Sequence, residues 1–189
     1  MTTLILVQTP DDVIFGVDSL TTYGSEQNVM TNMKAVVNNG VLFLVGGIMA
    51  YIDLVEQLEF PAYDGSDPRK WISRELSPRL RTMAQENEDF HKGPGNWGVG
   101  LLVVVDGQAF ELDTIFSPGQ NTAGIYTVGT GGDYARGALY QTKRVITGSF
   151  TQADVIRALE VAASIDAYTG GALIAGSAKK FIESEATRG

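Results

Sequence analysis

Residues 1–24 read MTTLILVQTPDDVIFGVDSLTTYG. Two hydroxyl residues stand directly behind the initiator methionine, and an apolar run starts at once. Thr3–Gln8 and Val13–Val17 are nearly continuous apolar runs joined by Pro10-Asp11-Asp12, a turn sequence. Continuous rather than alternating apolarity predicts strands covered on both faces. The opening residues therefore read as part of the working structure, with no charged-then-apolar leader before them.

The same punctuation continues along the chain. Met33–Val37 and Val41–Val45 flank Asn39-Gly40, a strong two-residue hairpin signal, and Gly46-Gly47 closes the second run. Ile48, Ile52 and Val55 fall at helical spacing and predict a helix over about 48–59. Trp71, Ile72, Leu76, Leu80 and Met83 predict a second helical stretch, kinked or split by Pro78. Val99–Val105, Asp106-Gly107 and Gln108–Asp113 read as another hairpin, and Gly124–Val128 as a strand running into a helix through GTGGDYARGALY. Thr151 and Asp154 resemble a capping box for a helix to about Ile165. Residues 170–185 fit a short hairpin or a strand plus a helix. Strands, two helices, strands and two helices in that order predict an α+β four-layer αββα sandwich, in one domain over residues 1–189, rather than an alternating doubly wound fold.

Composition narrows the chemistry. The 189 residues carry 14 Lys and Arg against 22 Asp and Glu, a net charge of −8, which argues against nucleic acid or an anionic membrane as partner. The absence of cysteine excludes a disulfide framework, a thiol nucleophile and a thiolate metal site. The longest uncharged apolar stretch, Val41–Ile52, is short of the roughly 20 residues that span a bilayer. The expectation is a cytoplasmic chain that needs no metal or other cofactor.

Several polar residues stand out, each open to two readings. Asp18 ends a buried strand and is either a turn residue or half of a buried ion pair. Lys34 is the sole charge between Asn32 and Val37, either facing solvent or pairing with that acid. The GTGG run at Gly129–Gly132 half-resembles a dinucleotide fingerprint, but Tyr134 occupies the third glycine position and no βαβ unit surrounds it. Asp166 and Thr169 in DAYTGG fall at a helix end, where an acid opposes the helix dipole. His91 reads as a surface residue of a Gly/Pro loop.

Taken together and in this order, Thr-Thr after Met1, VD at 17–18, Lys34, Gly46-Gly47, GTGG and DAYTGG resemble the proteasome β-subunit family and its relative HslV, both N-terminal-nucleophile hydrolases. The resemblance runs without a gap from Thr2 to Lys34 and, with length changes, to Gly171. It implies that Thr2, exposed by loss of Met1, is the nucleophile of a threonine peptidase, with its own α-amine as general base. It further implies that Lys34 supplies positive charge, that Asp18 fixes Lys34, and that Gly46 donates a backbone N–H to the oxyanion. Thr130, Asp166 and Thr169 would form the network around the N-terminus. Thr22 and Gly24 would pair with an extended polypeptide substrate, while Thr21, Leu44 and Ile48 would line an apolar specificity pocket. The family builds stacked six- or seven-fold homo-oligomeric rings, some served by an ATP-dependent unfoldase. This chain departs from it at Leu20, at Ala50-Tyr51, in a one-residue deletion between Lys34 and Gly46, and in the loops 61–70 and 86–97. A catalytically silent ring or scaffold subunit, an amidase of small amides and a nucleotide-binding module are the competing readings.

Overall fold

The computed structural model describes residues 2–23, 26–30, 34–87, 99–142 and 148–187. Met1, Gly24 and His91 lie outside the described residues. The strands, in chain order, are β1 (Leu4–Gln8), β2 (Val13–Asp18), β3 (Leu20–Tyr23), β4 (Glu26–Val29), β5 (Ala35–Asn38), β6 (Val41–Gly46), β7 (Gly100–Val105), β8 (Gln108–Leu112), β9 (Pro118–Gly119), β10 (Ile125–Val128) and β11 (Leu173–Ser177). The helices are α1 (Ala50–Gln57), α2 (Pro68–Trp71), α3 (Ser77–Glu86), α4 (Gly132–Gln141), α5 (Gln152–Ile165) and α6 (Ala178–Ala186).

The predicted hairpins form where the turn residues demand. Asn39 and Gly40 have φ of 49° and 78°, and Asp106 and Gly107 have 50° and 69°. Two successive positive φ values give the two-residue turn whose twist matches antiparallel strands. Pro78 does not split its helix. A π-helical segment, Ile72–Leu76, joins α2 to α3, and the Ser77 N–H reaches back to the Ile72 carbonyl. Because proline lacks an N–H and crowds the carbonyl four residues earlier, one widened turn accommodates it. The capping box of α5 is present, with Thr151 and Asp154 each accepting from the other's backbone. The tail resolves into a strand plus a helix, β11 and α6. The ribbon β3–β4 had no sequence signal, since β4, EQNV, is exposed throughout and shows no apolar alternation.

Two antiparallel sheets organise these elements, ordered β10-β1-β2-β11 and β5-β6-β7-β8-β9. Three apolar clusters surround them. Leu4, Leu6, Phe15 and Val17 of the first sheet meet Leu42, Leu44, Leu102 and Val104 of the second. The alternate residues Ile5, Val7 and Ile14 pack with Leu139, Val155 and Leu159 of α4 and α5. Phe43, Val45, Leu101 and Val103 pack with Tyr51, Ile52, Trp71 and Leu80 of the other helices. Covering both faces explains why the strands read as continuous apolar runs. No helix among the described residues is long and apolar enough to cross a membrane.

Candidate active site

The start of β1 brings Thr2 beside the end of β2 and the residue that precedes β5. Thr2, Asp18 and Lys34 are buried, at 2%, 0% and 4% exposure. Charged groups are seldom this buried unless paired, and these two are: Lys34 Nζ lies 2.8 Å from Asp18 Oδ1. Lys34 also donates to the Leu20 carbonyl at 2.7 Å and to the Thr2 hydroxyl. An ammonium has three protons, so those three acceptors use all of them. The Thr2 hydroxyl in turn donates to Asp18 Oδ1. Burial pushes the Lys34 ammonium below the ordinary lysine range, against the opposing pull of Asp18.

Asp18 is held independently of the lysine. Its Oδ1 accepts the Thr3 N–H at 2.9 Å, and its Oδ2 accepts the N–H groups of Leu20 at 3.3 Å and Gly170 at 3.2 Å. The last comes from the turn after α5, which antiparallel pairing of β11 with β2 carries to this end of the sheet.

Asp166 sits in that turn. It has left the helix at the C-cap, with φ −91° and ψ 116°, and its carboxylate is enclosed by donors. Its Oδ2 accepts the hydroxyls of Thr130 and Thr169, each at 2.7 Å, and its Oδ1 accepts the Tyr168 N–H at 3.3 Å. Burial alone would raise its pKa, but these hydrogen bonds outweigh burial and hold it below the ordinary carboxylate value. That arrangement accounts for an acid at the unfavourable end of a helix dipole.

The GTGG segment packs against this corner. Gly129 has φ 97°, and a Cβ there would sit 1.8 Å from the Thr2 carbonyl oxygen. A Cβ on Gly131 would sit 2.1 Å from Thr3 Oγ1. Glycine is required for the chain to pass this close.

A cavity of about 480 Å³ opens in front of Thr2. Its wall includes Thr21 and Ile48 of the three residues expected there, together with Thr22, Asn28, Val45, Gly46, Met49 and Ile52. Leu44 does not line it. Neighbouring strand residues point to opposite faces, and Leu44 is wholly buried between the sheets while Val45 reaches the cavity. Ile52 had a sequence signal in its spacing from Ile48, and Asn28 had none, because β4 was not legible. Among the described residues, no group of three His, Cys, Asp or Glu side chains is placed to hold a metal ion.

No family profile and no curated protein sequence matches the chain. Solved structures do. BPH from Thiobacillus denitrificans superposes with a TM-score of 0.77 at 16% identity, over 93% of this chain and 96% of that one. BPH in complex with epoxomicin gives the same score and identity, with 97% of that chain covered. The eukaryotic HslV of Trypanosoma brucei gives 0.65 at 20% identity, over 93% and 98% of the two chains. Anbu, the ancestral beta-subunit from Yersinia bercovieri, gives 0.69 at 12%, over 93% and 80%. The chain has the fold of the proteasome-like N-terminal-nucleophile hydrolases.

Proposed function

We propose that this chain is a threonine-type endopeptidase, a single-domain four-layer αββα hydrolase that cleaves unfolded polypeptides as one subunit of a closed homo-oligomer. The observation that carries this reading is the Thr2 hydroxyl, hydrogen-bonded to both Lys34 and Asp18 at the wall of the cavity. In this reading Met1 is removed and Thr2 Oγ attacks the substrate carbonyl. The free α-amine takes the hydroxyl proton and delivers it to the leaving amine. Water then hydrolyses the ester on Thr2. Lys34 stabilises the developing alkoxide, and Asp18 orients Lys34. The Gly46 N–H faces the oxyanion; one such donor is typically worth about 100- to 1000-fold in rate. Thr22 and Gly24 pair with the extended substrate as an added strand. Thr130, Asp166 and Thr169 hold the other side of the N-terminus.

Apolar surface supports self-assembly. Val29, Ile165 and Tyr168 are 63%, 56% and 38% exposed, and Gln27 of the β3–β4 ribbon bonds the Ala167 carbonyl at 2.9 Å, so the ribbon lies against the 166–171 turn. Exposed apolar residues brought together this way mark contact surfaces. The proposed assembly is stacked six- or seven-fold rings in the cytoplasm, to which an ATP-dependent unfoldase would feed substrate.

Epoxomicin, which BPH binds in its complex, provides the test. The expected result is one adduct per chain on Thr2, in chains that begin at Thr2, together with ring-sized mass by native mass spectrometry. Processed, folded chains that take no label would establish the silent-subunit reading instead.

The cavity also sets a preference. Among the described residues, Lys34 is the sole charged one in its wall, and all three ammonium protons are already engaged. No cation is left there for an acidic side chain and no carboxylate for a basic one, while Val45, Ile48, Met49 and Ile52 offer apolar contact. Fluorogenic peptides with Leu, Met or Phe before the scissile bond should give kcat/KM at least about tenfold above those with Asp or Arg, since each buried methylene is worth about 0.8 kcal/mol. A flat profile would remove the cavity from substrate selection.

A further inference from the structure

Thr3 is completely buried, and the mechanism above gives it no task. Its N–H donates to Asp18 Oδ1 at 2.9 Å, the same oxygen that receives Lys34 Nζ. Its hydroxyl lies 2.6 Å from that of Thr169. Counting protons fixes the direction of this second bond. A carboxylate accepts and does not donate, so Thr169 gives its one hydroxyl proton to Asp166 Oδ2. Only lone pairs remain on Thr169, and Thr3 is therefore the donor. The result is a polarised run from Thr3 through Thr169 to Asp166, anchored further by Thr130 on the same carboxylate oxygen.

Thr3 thus links two groups of residues that otherwise meet through the Gly170 N–H on Asp18 Oδ2. Its backbone belongs to the Lys34–Asp18 pair and its side chain to the Asp166 group. The loop beside it leaves room for this and little else: a Cβ on Gly131 would stand 2.1 Å from Thr3 Oγ1 and 2.5 Å from Thr169 Oγ1. The carbonyl of the Thr2–Thr3 peptide is confined by Gly129.

We propose that Thr3 is a positioning residue: clamped between Asp18 and the Thr169–Asp166 group, it stops the Thr2–Thr3 peptide from turning and fixes the angle at which Thr2 presents its hydroxyl and amine to the substrate. This rests on the threonine-peptidase reading above. A small misplacement of reacting groups, on the order of 1 Å, can cost about 100-fold in rate.

The test compares Thr3→Val and Thr3→Ser in chains whose N-terminus is verified as Thr2 by intact mass. Turnover is expressed per epoxomicin-labelled site, which removes any loss of folded or processed protein from the comparison. Thr3→Val should lower kcat about 10- to 100-fold with KM changed less than about twofold, and Thr3→Ser should return kcat to within about threefold of the native chain. If valine does not fold, Thr3→Ala removes the hydroxyl without branching and must show the same split. A reduced labelled fraction with native turnover per labelled site assigns Thr3 a structural role and overturns the proposal, as does an unaffected kcat. A native chain that neither labels nor turns over defeats the peptidase reading itself, a result separable from either.

Discussion

Chains that begin at Thr2 should hydrolyse a fluorogenic peptide at least about 100-fold faster than chains that retain Met1, because a positioned general base contributes about 100- to 10,000-fold. The reason is one covalent bond. With Met1 attached, the Thr2 nitrogen is an amide, its lone pair is delocalised into the carbonyl, and it has no useful basicity. Once freed, it becomes an α-amine, a group that ordinarily titrates near about 8, and the neighbouring Lys34 charge favours its unprotonated form. Rates should therefore climb with pH along a limb at or below about 8. The threonine side chain is small enough at position two for ordinary methionine removal, although Thr3 and burial in an assembly would slow it. A tag cleaved directly before Thr2, or co-expression of a methionine aminopeptidase, supplies the processed chain, and intact mass measures the fraction. Activity should track that fraction linearly. Equal rates for both forms would show that some other group takes the proton.

Replacing Lys34 should remove nearly all turnover while leaving a folded chain. Lys34→Met keeps the length of the side chain and deletes the charge and three donors. In the proposed mechanism, an alkoxide on Thr2 Oγ would then lose the Lys34 cation that bonds this oxygen, and a preorganised donor of this kind is worth about 100- to 1000-fold. Breaking a buried pair also costs about 3–5 kcal/mol of stability. Asp18 nevertheless keeps the N–H groups of Thr3, Leu20 and Gly170, so the fold should survive with a lowered Tm. Asp18→Asn should act in the same direction by releasing Lys34 from its orientation. On the proposed reading, the native chain should also lose activity at alkaline pH earlier than an ordinary lysine, at about 10.4, would dictate. The sign follows from burial, which lowers the Lys34 pKa, so the required cation is neutralised as pH rises through that lower value. Circular dichroism on each variant separates unfolding from lost chemistry. Folded variants with near-native rates would return Lys34 and Asp18 to a purely structural pair.

Most of the scaffold was legible because its signals are local. Asn39-Gly40 and Asp106-Gly107 demand positive φ, Thr151 and Asp154 cap a helix, and apolar runs announce strands covered on both faces. The β3–β4 ribbon was not legible, since EQNV is polar on both faces and its position depends on contacts with Ser19 and Ala167. The site divides the same way. Asp18 and Lys34 looked like a turn acid and a surface lysine by local rules, and only their places in an ordered set of motifs suggested a pair. Their contact spans 16 positions, and that between Thr3 and Thr169 spans 166, separations at which residue periodicity is silent. Leu44 was misplaced by one step along a strand, enough to turn a side chain from the cavity wall to the inter-sheet core.

Lys34 belongs to both the charge pair and the cavity wall, but much of that wall stands on other pieces of chain. Ile48, Met49 and Ile52 stand on or just before α1, and Thr21, Thr22 and Asn28 on the β3–β4 ribbon. None of these six side chains hydrogen-bonds Thr2, Asp18 or Lys34 in the network described above. Descendants of such a chain can drift in what they accept without relearning how to react. A library randomised at Ile48, Met49 and Ile52 would sample new diets for one unchanged set of teeth.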